Sequence, residues 1–273
     1  TSCTLFVGAA GGGVWKDTSA LASVPSWRPS SNGFPSNAIG ALQVDPNDAT
    51  GKTVYVGTGE PSGSSDSEAG VGLYKSTDGG VKWALVPGSL AVAKDRAIGA
   101  VAIDPEDSQH IFIGTAVARH GSSSVNGGRF TPPDAPTLGL YETTDGGATF
   151  TLAFSLAADP VDPTSPNGSD FFRGGISTLE FAPDGTLYLA AMGYGLYRSD
   201  GSGGYEQVFA SVAAGDIAAS AGARTEFALA PHGDKLRIYL GDTDGGPADF
   251  FRVDDANVPA TTLTDGTANA GWT

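Results

Sequence analysis

The chain has 273 residues, with 15 Lys and Arg against 30 Asp and Glu and a formal net charge of −15. This charge argues against binding to nucleic acid and to anionic membranes, since both require clustered positive charge. Forty glycines, seventeen prolines and 16% charged residues are typical of many short strands and turns with little long helix. No apolar run of about 18 residues occurs, so no membrane insertion is expected.

Similar units follow one another along the chain, and four of them begin with a strand of small and apolar residues that ends in proline. These strands are 39–46, 98–105, 176–183 and 224–231. Proline ends each strand because it has no N–H for the sheet ladder. A second run comes next in each unit, and its period-two alternation is that of a half-buried strand. The second runs are 53–57, 110–114, 186–190 and 237–241.

A hairpin completes the unit, and its sequence repeats along the chain. Residues 72–83, GLYKSTDGGVKW, recur as GLYETTDGGATF at 139–150, and a looser copy begins at Gly195. Ser, Thr and Asp side chains bond backbone groups inside such a turn, and glycine permits positive φ. We therefore expect these residues to be structural: Ser76, Asp78, Gly80, Trp83, Thr143, Asp145, Gly147, Phe150, Ser199 and Asp200.

Four strands per unit, repeated, predict an all-β fold, a β-propeller of four-stranded antiparallel blades in one domain. Five units are readable, with approximate bounds 1–35, 36–93, 94–171, 172–222 and 223–273. The first lacks its inner strand, and the last is degenerate, with 250–255 as its third strand. A chain that begins on a second strand predicts that the ring is closed by exchange of a strand from the C-terminus. The alternative, which we favour, is that the chain is part of a longer propeller with six to eight blades.

The hairpin pattern resembles the Asp box, Ser/Thr-x-Asp-x-Gly-x-Thr-Trp/Phe, of the sialidase-type BNR β-propellers. The segments VGAAGGGVWK at 7–16 and VGTGEP at 56–61 are similar to secreted bacterial BNR/sortilin-like repeat proteins. The resemblance implies a secreted or extracytoplasmic protein, in the periplasm or at the cell surface. Sialidases also carry Phe/Tyr-Arg-Ile-Pro near the N-terminus, and this chain has FRGG at 172–175 instead. Xyloglucanase-type tandem propellers share the boxes, but no residue here matches their catalytic acids.

A ligand site is expected on the face opposite the boxes, where the loops joining second and third strands are long. Loops above ordinary length are usually functional or disordered, and both interpretations stay open. Candidate ligand-binding residues are Arg96, Arg119, His120, Arg173 and Arg224, because guanidinium groups bind carboxylates in two-pronged fashion. The alternative, which we prefer in so acidic a chain, is that each arginine pairs with a local acid.

Catalytic and metal-binding residues are less sharply indicated. Glycoside hydrolysis needs two carboxylates at a suitable separation, and Glu60, Glu68 and Glu226 are the candidates. Asp242 and Asp244 resemble the start of a calcium loop, although Val253 stands where an EF-hand requires Glu. No cofactor is required by this sequence, and a loop-bound Ca²⁺ remains open.

The leading hypothesis is an extracytoplasmic scaffold that binds a protein or carbohydrate partner through the loop-rich face without catalysis. The first alternative is an exo-acting, sialidase-like glycoside hydrolase with its site at the mouth of the central channel. The second is a subunit of a larger extracellular assembly. The single cysteine, Cys3, excludes an internal disulfide but leaves pairing with another chain open.

Overall fold

The computed structural model describes residues 3–62, 68–120, 132, 134–156, 174–212, 224–243, 247–266 and 268–273. The chain divides into two compact units. Unit 1 comprises Thr1–Pro136 and Tyr141–Thr151, and unit 2 comprises Thr137–Leu140 and Leu152–Thr273. No helix in the described part of the chain has the length and apolarity that crossing a bilayer requires.

The described strands form five sheets, and in each the strands that follow one another in sequence are neighbours. The first sheet contains β1 (Leu5–Ala9), β2 (Gly13–Asp17) and β3 (Arg28–Pro29). The second contains β4 (Ile39–Val44), β5 (Val54–Thr58), β6 (Leu73–Ser76) and β7 (Ala84–Leu85). The third contains β8 (Arg96–Asp104), β9 (Asp107–Val117), β10 (Leu140–Thr143) and β11 (Thr151–Phe154). The division between the units passes through β10 and β11.

Unit 2 holds the remaining two sheets. The fourth contains β12 (Ile176–Phe181), β13 (Leu187–Ala191), β14 (Gly195–Ser199) and β15 (Tyr205–Ala210). The fifth contains β16 (Arg224–His232), β17 (Lys235–Thr243) and β18 (Asp249–Val253). Two short helices, α1 (Leu90–Ala93) and α2 (Ala260–Leu263), follow the second and fifth sheets. The predicted all-β class with four-stranded antiparallel sheets is confirmed, and the first and fifth sheets have three strands.

The core of unit 1 lies where the sheets face one another. Side chains of the second sheet, such as Tyr55 and Leu73, pack with Ile98, Ile111 and Ile113 of the third, and all five are fully buried. Small residues let the first strands of the two sheets approach closely. A Cβ on Gly40 in β4 would lie 2.3 Å from the Ile98 carbonyl oxygen in β8. Glycine is therefore required at position 40.

The core of unit 2 is built in the same way from the fourth and fifth sheets. Tyr188, Leu196 and Phe209 of the fourth sheet pack with Ile238 and Leu240 of the fifth. Trp272 closes this core beside Phe209, with the ring centroids 5.1 Å apart. The last residue, Thr273, pairs with Arg252 in β18 through two backbone hydrogen bonds of 2.7 and 2.9 Å.

The repeated hairpin turns are closed by one hydroxyl and one carboxylate each. In the second sheet, Asp78 Oδ1 accepts the Ser76 hydroxyl at 2.9 Å and the backbone N–H groups of Val81 and Lys82 at 3.0 and 2.9 Å. Ser76 Oγ in turn accepts the Gly80 N–H at 2.8 Å. These bonds replace the missing backbone partners of a tight turn.

The third sheet repeats this network with threonine in place of serine. Thr143 donates to Asp145 Oδ1 at 2.7 Å and accepts the Gly147 N–H at 3.0 Å. Asp145 also binds the N–H and hydroxyl of Thr149. The Thr143 hydroxyl, followed by the Thr149 N–H, holds the pKa of Asp145 well below its ordinary value. The carboxylate is therefore committed to the turn.

The turns of the fourth and first sheets are also closed by an aspartate, but with different hydrogen-bond partners. In the fourth sheet, Asp200 Oδ1 accepts the N–H and hydroxyl of Ser202 and the N–H of Gly204, while Ser199 Oγ accepts the Leu187 N–H at 3.0 Å. In the first sheet, buried Asp17 binds the N–H groups of Ser19 and Ser26. The aspartate at position 17 thus closes a turn that lacks the repeat sequence.

Each turn in unit 1 also contacts the outer edge of the preceding sheet. Ser30 donates from its hydroxyl to the Gly80 carbonyl at 2.5 Å, and the Trp83 indole N–H donates to the Ser30 carbonyl at 2.6 Å. In the next turn, the Gly147 carbonyl accepts the Gly88 N–H at 2.9 Å. The turns therefore join neighbouring sheets as well as closing their own hairpins.

Replacing Gly147 by alanine is expected to destabilise unit 1 for two reasons. The residue has φ of +92°, and a Cβ would lie 2.2 Å from Val86 Cγ1. Gly33 is a matched control, because its φ is also +92° but a Cβ would meet nothing within 4 Å. Gly147→Ala should cost ~1–3 kcal/mol more than Gly33→Ala through overpacking, measured by urea unfolding. Equal losses would show that the contact with Val86 is unimportant.

Candidate functional site

The loop after β5 lies against the ends of the third sheet and brings several polar residues together in unit 1. The Glu60 N–H donates to the Glu68 carbonyl at 2.9 Å, the Ala69 N–H to the Arg119 carbonyl at 3.0 Å, and the Gly70 N–H to the Arg96 carbonyl at 2.9 Å. We call Glu60, Glu68, Asp95, Arg96, Arg119 and His120 the loop-end cluster. Five of its members were predicted from the sequence as catalytic or ligand-binding candidates.

Glu60 is enclosed rather than presented to solvent. The residue is 8% exposed, and its Oε1 accepts the Ser62 N–H at 2.9 Å. Oε2 is buried and has no hydrogen-bond partner in the part of the chain that the structure describes. An unsatisfied buried acceptor costs free energy. A rearrangement or a bound molecule that supplied a hydrogen-bond donor to Oε2 would recover this free energy.

Arg96 is turned inward toward backbone carbonyl groups. It is 8% exposed, and its Nε donates to the Pro136 carbonyl at 2.6 Å, with a longer contact of 3.4 Å from Nη2 to the Ala135 carbonyl. Burial lowers the pKa of Arg96, and the charges of Tyr141 and Asp95 oppose this effect. The guanidinium thus fixes the segment before β10 and is not directed at solvent.

Asp95 and His120 form the more accessible part of the loop-end cluster. His120 Nε2 lies 2.7 Å from Asp95 Oδ1, and the His120 side chain is 40% exposed. Lys94 Nζ lies 3.8 Å from the other Asp95 oxygen. Asp95 has φ of +62°, the one positive value at a non-glycine position in the described ranges. Glu68 is also exposed, so this part of the cluster offers carboxylate acceptors together with an ammonium group and an imidazole.

The candidates in unit 2 are already engaged with other protein groups. Arg224 Nε lies 3.6 Å from Glu226 Oε1, and the Thr178 hydroxyl donates to the other Glu226 oxygen. Asp242 is 1% exposed, and its carboxylate accepts the hydroxyls of Ser211 and Thr225 together with the Val212 N–H. Arg173 and Asp244 lie outside the described residues. The preferred pairing of arginine with a local acid is thus found at Arg224.

A metal site is not formed by the side chains that the structure describes. No group of three or more His, Cys, Asp or Glu residues in those ranges is arranged to hold a metal ion. Both oxygens of Asp242 accept hydrogen bonds from protein donors. The proposal of a calcium site at Asp242 and Asp244 is left untested, because Asp244 lies beyond the described ranges.

A histidine cluster on the third sheet did not stand out in the sequence. His110 Nδ1 lies 2.9 Å from Asp104 Oδ2, and Nε2 lies 2.7 Å from Glu142 Oε1. Since both ring nitrogens face carboxylates, the arrangement favours the doubly protonated imidazolium. Burial opposes this charge, but the two hydrogen bonds outweigh burial and raise the pKa of His110. Glu142 is 32 residues away, so local spacing gave no signal.

Arg198 in unit 2 is a second residue that the sequence did not single out. Its guanidinium donates to Glu206 Oε1 at 2.7 Å and to the carbonyl groups of Ala256 and Val258 at 2.5 and 3.0 Å. The side chain borders an open cleft of about 410 Å³, which Asp184 and Asp200 also line. These bonds join Arg198 in the fourth sheet to the segment that follows the fifth sheet.

Comparison with known proteins supports the fold. No protein-family model matches the chain. A xyloglucanase of Hypocrea jecorina is 28% identical over 169 residues, which cover 57% of this chain and 18% of that enzyme. The Niastella koreensis GH74 enzyme superposes with a TM-score of 0.56 and 20% identity over 99% of this chain and 35% of its own. An ancestral GH74 enzyme superposes with a TM-score of 0.51 and 18% identity, over 90% of this chain and 29% of that enzyme. The predicted β-propeller fold is confirmed, and the chain spans between 18% and 35% of the length of these proteins.

The His110 cluster is expected to make stability depend on pH. Because the folded-state pKa is raised, the protonated form stabilises the fold. This contribution is complete below the ordinary histidine pKa of about 6.5 and is lost as pH rises through the folded-state value. His110→Gln should therefore lower the urea midpoint more at about pH 5.5 than at about pH 8.5. Exposed His232 offers the control variant His232→Gln. An equal loss at both pH values would contradict the assignment.

Proposed function

We propose that this chain is an extracytoplasmic β-propeller that binds carbohydrate through the loop-end cluster of unit 1 and does not act on it chemically. The observation that carries the proposal is the convergence of the loop after β5 with the ends of the third sheet. Three backbone hydrogen bonds hold exposed Glu68 next to Arg119 and the Asp95–His120 pair. Sugar hydroxyls both donate and accept hydrogen bonds, so a mixed set of carboxylate, guanidinium and imidazole suits them.

The positions of the candidate acids favour binding over hydrolysis. A glycosidase needs two carboxylates that both reach the sugar. Glu60 is enclosed, with Oε2 inaccessible to solvent, and Glu68 is the exposed carboxylate predicted for this loop. Glu226 is engaged by Arg224 and Thr178 within unit 2. In this arrangement no predicted pair of acids is presented together in the described ranges.

Similarity to a xyloglucanase suggests the class of ligand to test first. The relative shares 28% identity over 57% of this chain, so a plant-type β-glucan is a reasonable probe. We assign the turns at Asp78 and Asp145 to the Asp-box type, on the hydrogen bonds that their carboxylates make. This assignment supports placement outside the cytoplasm, because the repeat proteins that share the box are secreted.

A glycoside hydrolase is the second candidate function, and the name of the xyloglucanase relative favours it. It would require the loop after β5 to rearrange so that Glu60 becomes accessible beside Glu68. Such a change would break the Glu60–Glu68 backbone bond and the bond from Ser62 to Glu60. The buried, unpartnered Oε2 of Glu60 is the feature that such a rearrangement would satisfy.

Glycan binding can be tested with xyloglucan oligosaccharides by isothermal titration calorimetry. We expect saturable binding that Glu68→Ala or Arg119→Ala weakens about three- to tenfold, the effect of losing a hydrogen bond or two. Glu106→Ala is the matched control, because Glu106 is an exposed acid in the turn between β8 and β9 at a distance from the loop. The control variant should bind as the unaltered protein does.

The same samples distinguish binding from hydrolysis. Incubation with polymeric xyloglucan should release no new reducing ends over the blank. Turnover that is abolished by Glu68→Gln or Glu60→Gln would replace the proposal with the hydrolase. If the unaltered protein binds none of a panel of neutral glycans, the proposal that this cluster recognises carbohydrate is wrong.

A further inference from the structure

Four of the six lysines in this acidic chain surround a single hairpin turn of unit 1. Lys16 Nζ donates to the Gly79 carbonyl at 2.6 Å, and the Lys52 carbonyl accepts the Gly79 N–H at 2.9 Å. Lys75 and Lys82 lie on the hairpin itself, one in β6 and the other in the turn. We call these four residues the lysine patch. It lies at the opposite end of β6 from the loop-end cluster.

The lysine patch differs from several other basic groups of the chain because its members form no ion pair with a carboxylate. In the described ranges, Lys235 pairs with Asp255 at 2.8 Å, Arg237 with Asp254 at 2.7 Å and Arg198 with Glu206 at 2.6 Å. None of the four patch lysines forms an ion pair with a described residue. In a chain with twice as many acids as bases, a group of ammonium ions without ion-pair partners needs an explanation.

The carboxylates nearest to the lysine patch are used by the backbone. Asp78 accepts three hydrogen bonds within its turn, and the backbone bond from Lys82 is the largest cause of its lowered pKa. Asp48 accepts the N–H and hydroxyl of Thr50 and two further N–H groups. These acids stay charged and reduce the local potential, but they are not free to fold over the ammonium groups.

A groove of about 480 Å³ opens beside Lys75 and Lys82, and its lining is mostly apolar. Trp83, Leu85 and Pro87 form one wall, and Gly146 of the next turn borders the other. Trp83 is held in place by its hydrogen bond to Ser30 and by edge contact with Phe34 at 5.5 Å. A ring already fixed before binding loses little conformational entropy when a ligand packs on it.

The positions of the ammonium groups are also constrained. Lys75 Nζ lies 5.0 Å from the centre of the Tyr55 ring, a cation–π contact that holds it at the groove. Lys82 follows the turn directly before Trp83, on the exposed side. The groove thus combines a fixed aromatic and aliphatic wall with two ammonium groups at its margin, and the turn carboxylate of Asp78 also lines it. A volume of this size is within the range of small-ligand sites.

The backbone along the groove does not favour an extended peptide. Val86 donates its N–H to the Leu73 carbonyl at 2.8 Å, and Gly88 donates to the Gly147 carbonyl at 2.9 Å. The Lys82 N–H is taken by Asp78. Peptides that add to a sheet need free backbone groups at its edge, and these three N–H groups are already bonded. Recognition here depends on side chains: ring faces, methyl groups and ammonium ions.

From this geometry we infer a second carbohydrate site, which binds an acidic polysaccharide built from uronic acid residues. The C–H face of a pyranose ring packs on the apolar wall, and the ring carboxylate reaches Lys75 or Lys82. A neutral glucan would leave the lysines without partners, which distinguishes this site from the loop-end cluster. The inference does not depend on the function proposed for that cluster, since different residues and a different ligand class are involved.

The probe is a galacturonate hexasaccharide, titrated calorimetrically at low ionic strength. Lys75→Gln/Lys82→Gln should weaken binding about tenfold, and added salt should weaken binding to the unaltered protein, as expected for exposed ion pairs. Lys235→Gln/Arg252→Gln removes the same charge from unit 2 and should leave the affinity unchanged. The fully methyl-esterified hexasaccharide, which keeps the rings but lacks the charges, should bind at least as weakly as the acid binds the double variant.

Three outcomes would overturn the inference. The first is absence of binding by the unaltered protein, and the second is an equal loss in both double variants, which would indicate a general charge effect. The third is full competition by an acidic peptide such as hexaglutamate, which would assign the groove to a protein partner. Circular dichroism and thermal unfolding of both variants establish that folding is unaffected. Neutral xyloglucan binding, measured in parallel, reports on the loop-end cluster separately.

Discussion

The arrangement of unit 1 depends on a short set of bonds between a turn carboxylate, a hydroxyl and the backbone around it. Asp78 and Asp145 hold their turns so that the glycines adopt positive φ. In that conformation the carbonyl groups of Gly80 and Gly147 point to the preceding sheet and accept hydrogen bonds from it. The side-chain bonds are local, but their consequence is contact between neighbouring sheets.

Once the turns join the sheets, the two ends of the strands acquire different chemistry. At one end of β6 the loop is fastened to the third sheet by backbone bonds, and it carries charges of both signs. At the other end the turn is closed by its own carboxylate, so that the surrounding lysines remain without ion-pair partners. Asp78, the acid that closes the turn, stays charged and lowers the positive potential of the patch without forming an ion pair with it.

The fold was predictable from the sequence because the signals for the strands and turns of each unit lie within that unit. The small strands that end in proline, the alternating second strands and the Ser/Thr-x-Asp hairpins are all local signals, and β4, β8, β12 and β16 lie where they were expected. The side-chain partners at the site were not predictable. Arg96 bonds to carbonyl groups about 40 residues away, and Arg198 to carbonyl groups about 60 residues away.

Charge pairing illustrates the same difference. Arg224 and Glu226 are two residues apart on one strand, so the predicted pairing with a local acid needed only local sequence, and the structure pairs them. His110 and Glu142 lie on adjacent strands joined by a long connection, so only the register of the third sheet brings them together. The lysines of the patch come from three segments of the chain: β2, the turn before β5 and the hairpin that contains β6. Their positive charge is opposite to the net charge of the chain. Composition alone therefore argued against the anionic ligand that the local surface favours.

The burial of Glu60 is the strongest structural argument about chemistry at the loop-end cluster. A general acid or a nucleophile must touch the substrate, and an enclosed carboxylate oxygen cannot do so without movement of the loop that holds it. That loop is fastened at Glu60, Ala69 and Gly70 by separate backbone bonds. Each bond contributes a net ~0.5–1.5 kcal/mol, so breaking bonds of this loop to expose Glu60 opposes the gain from satisfying its buried oxygen. The resting arrangement thus keeps the Glu60 carboxylate enclosed and leaves Glu68 exposed.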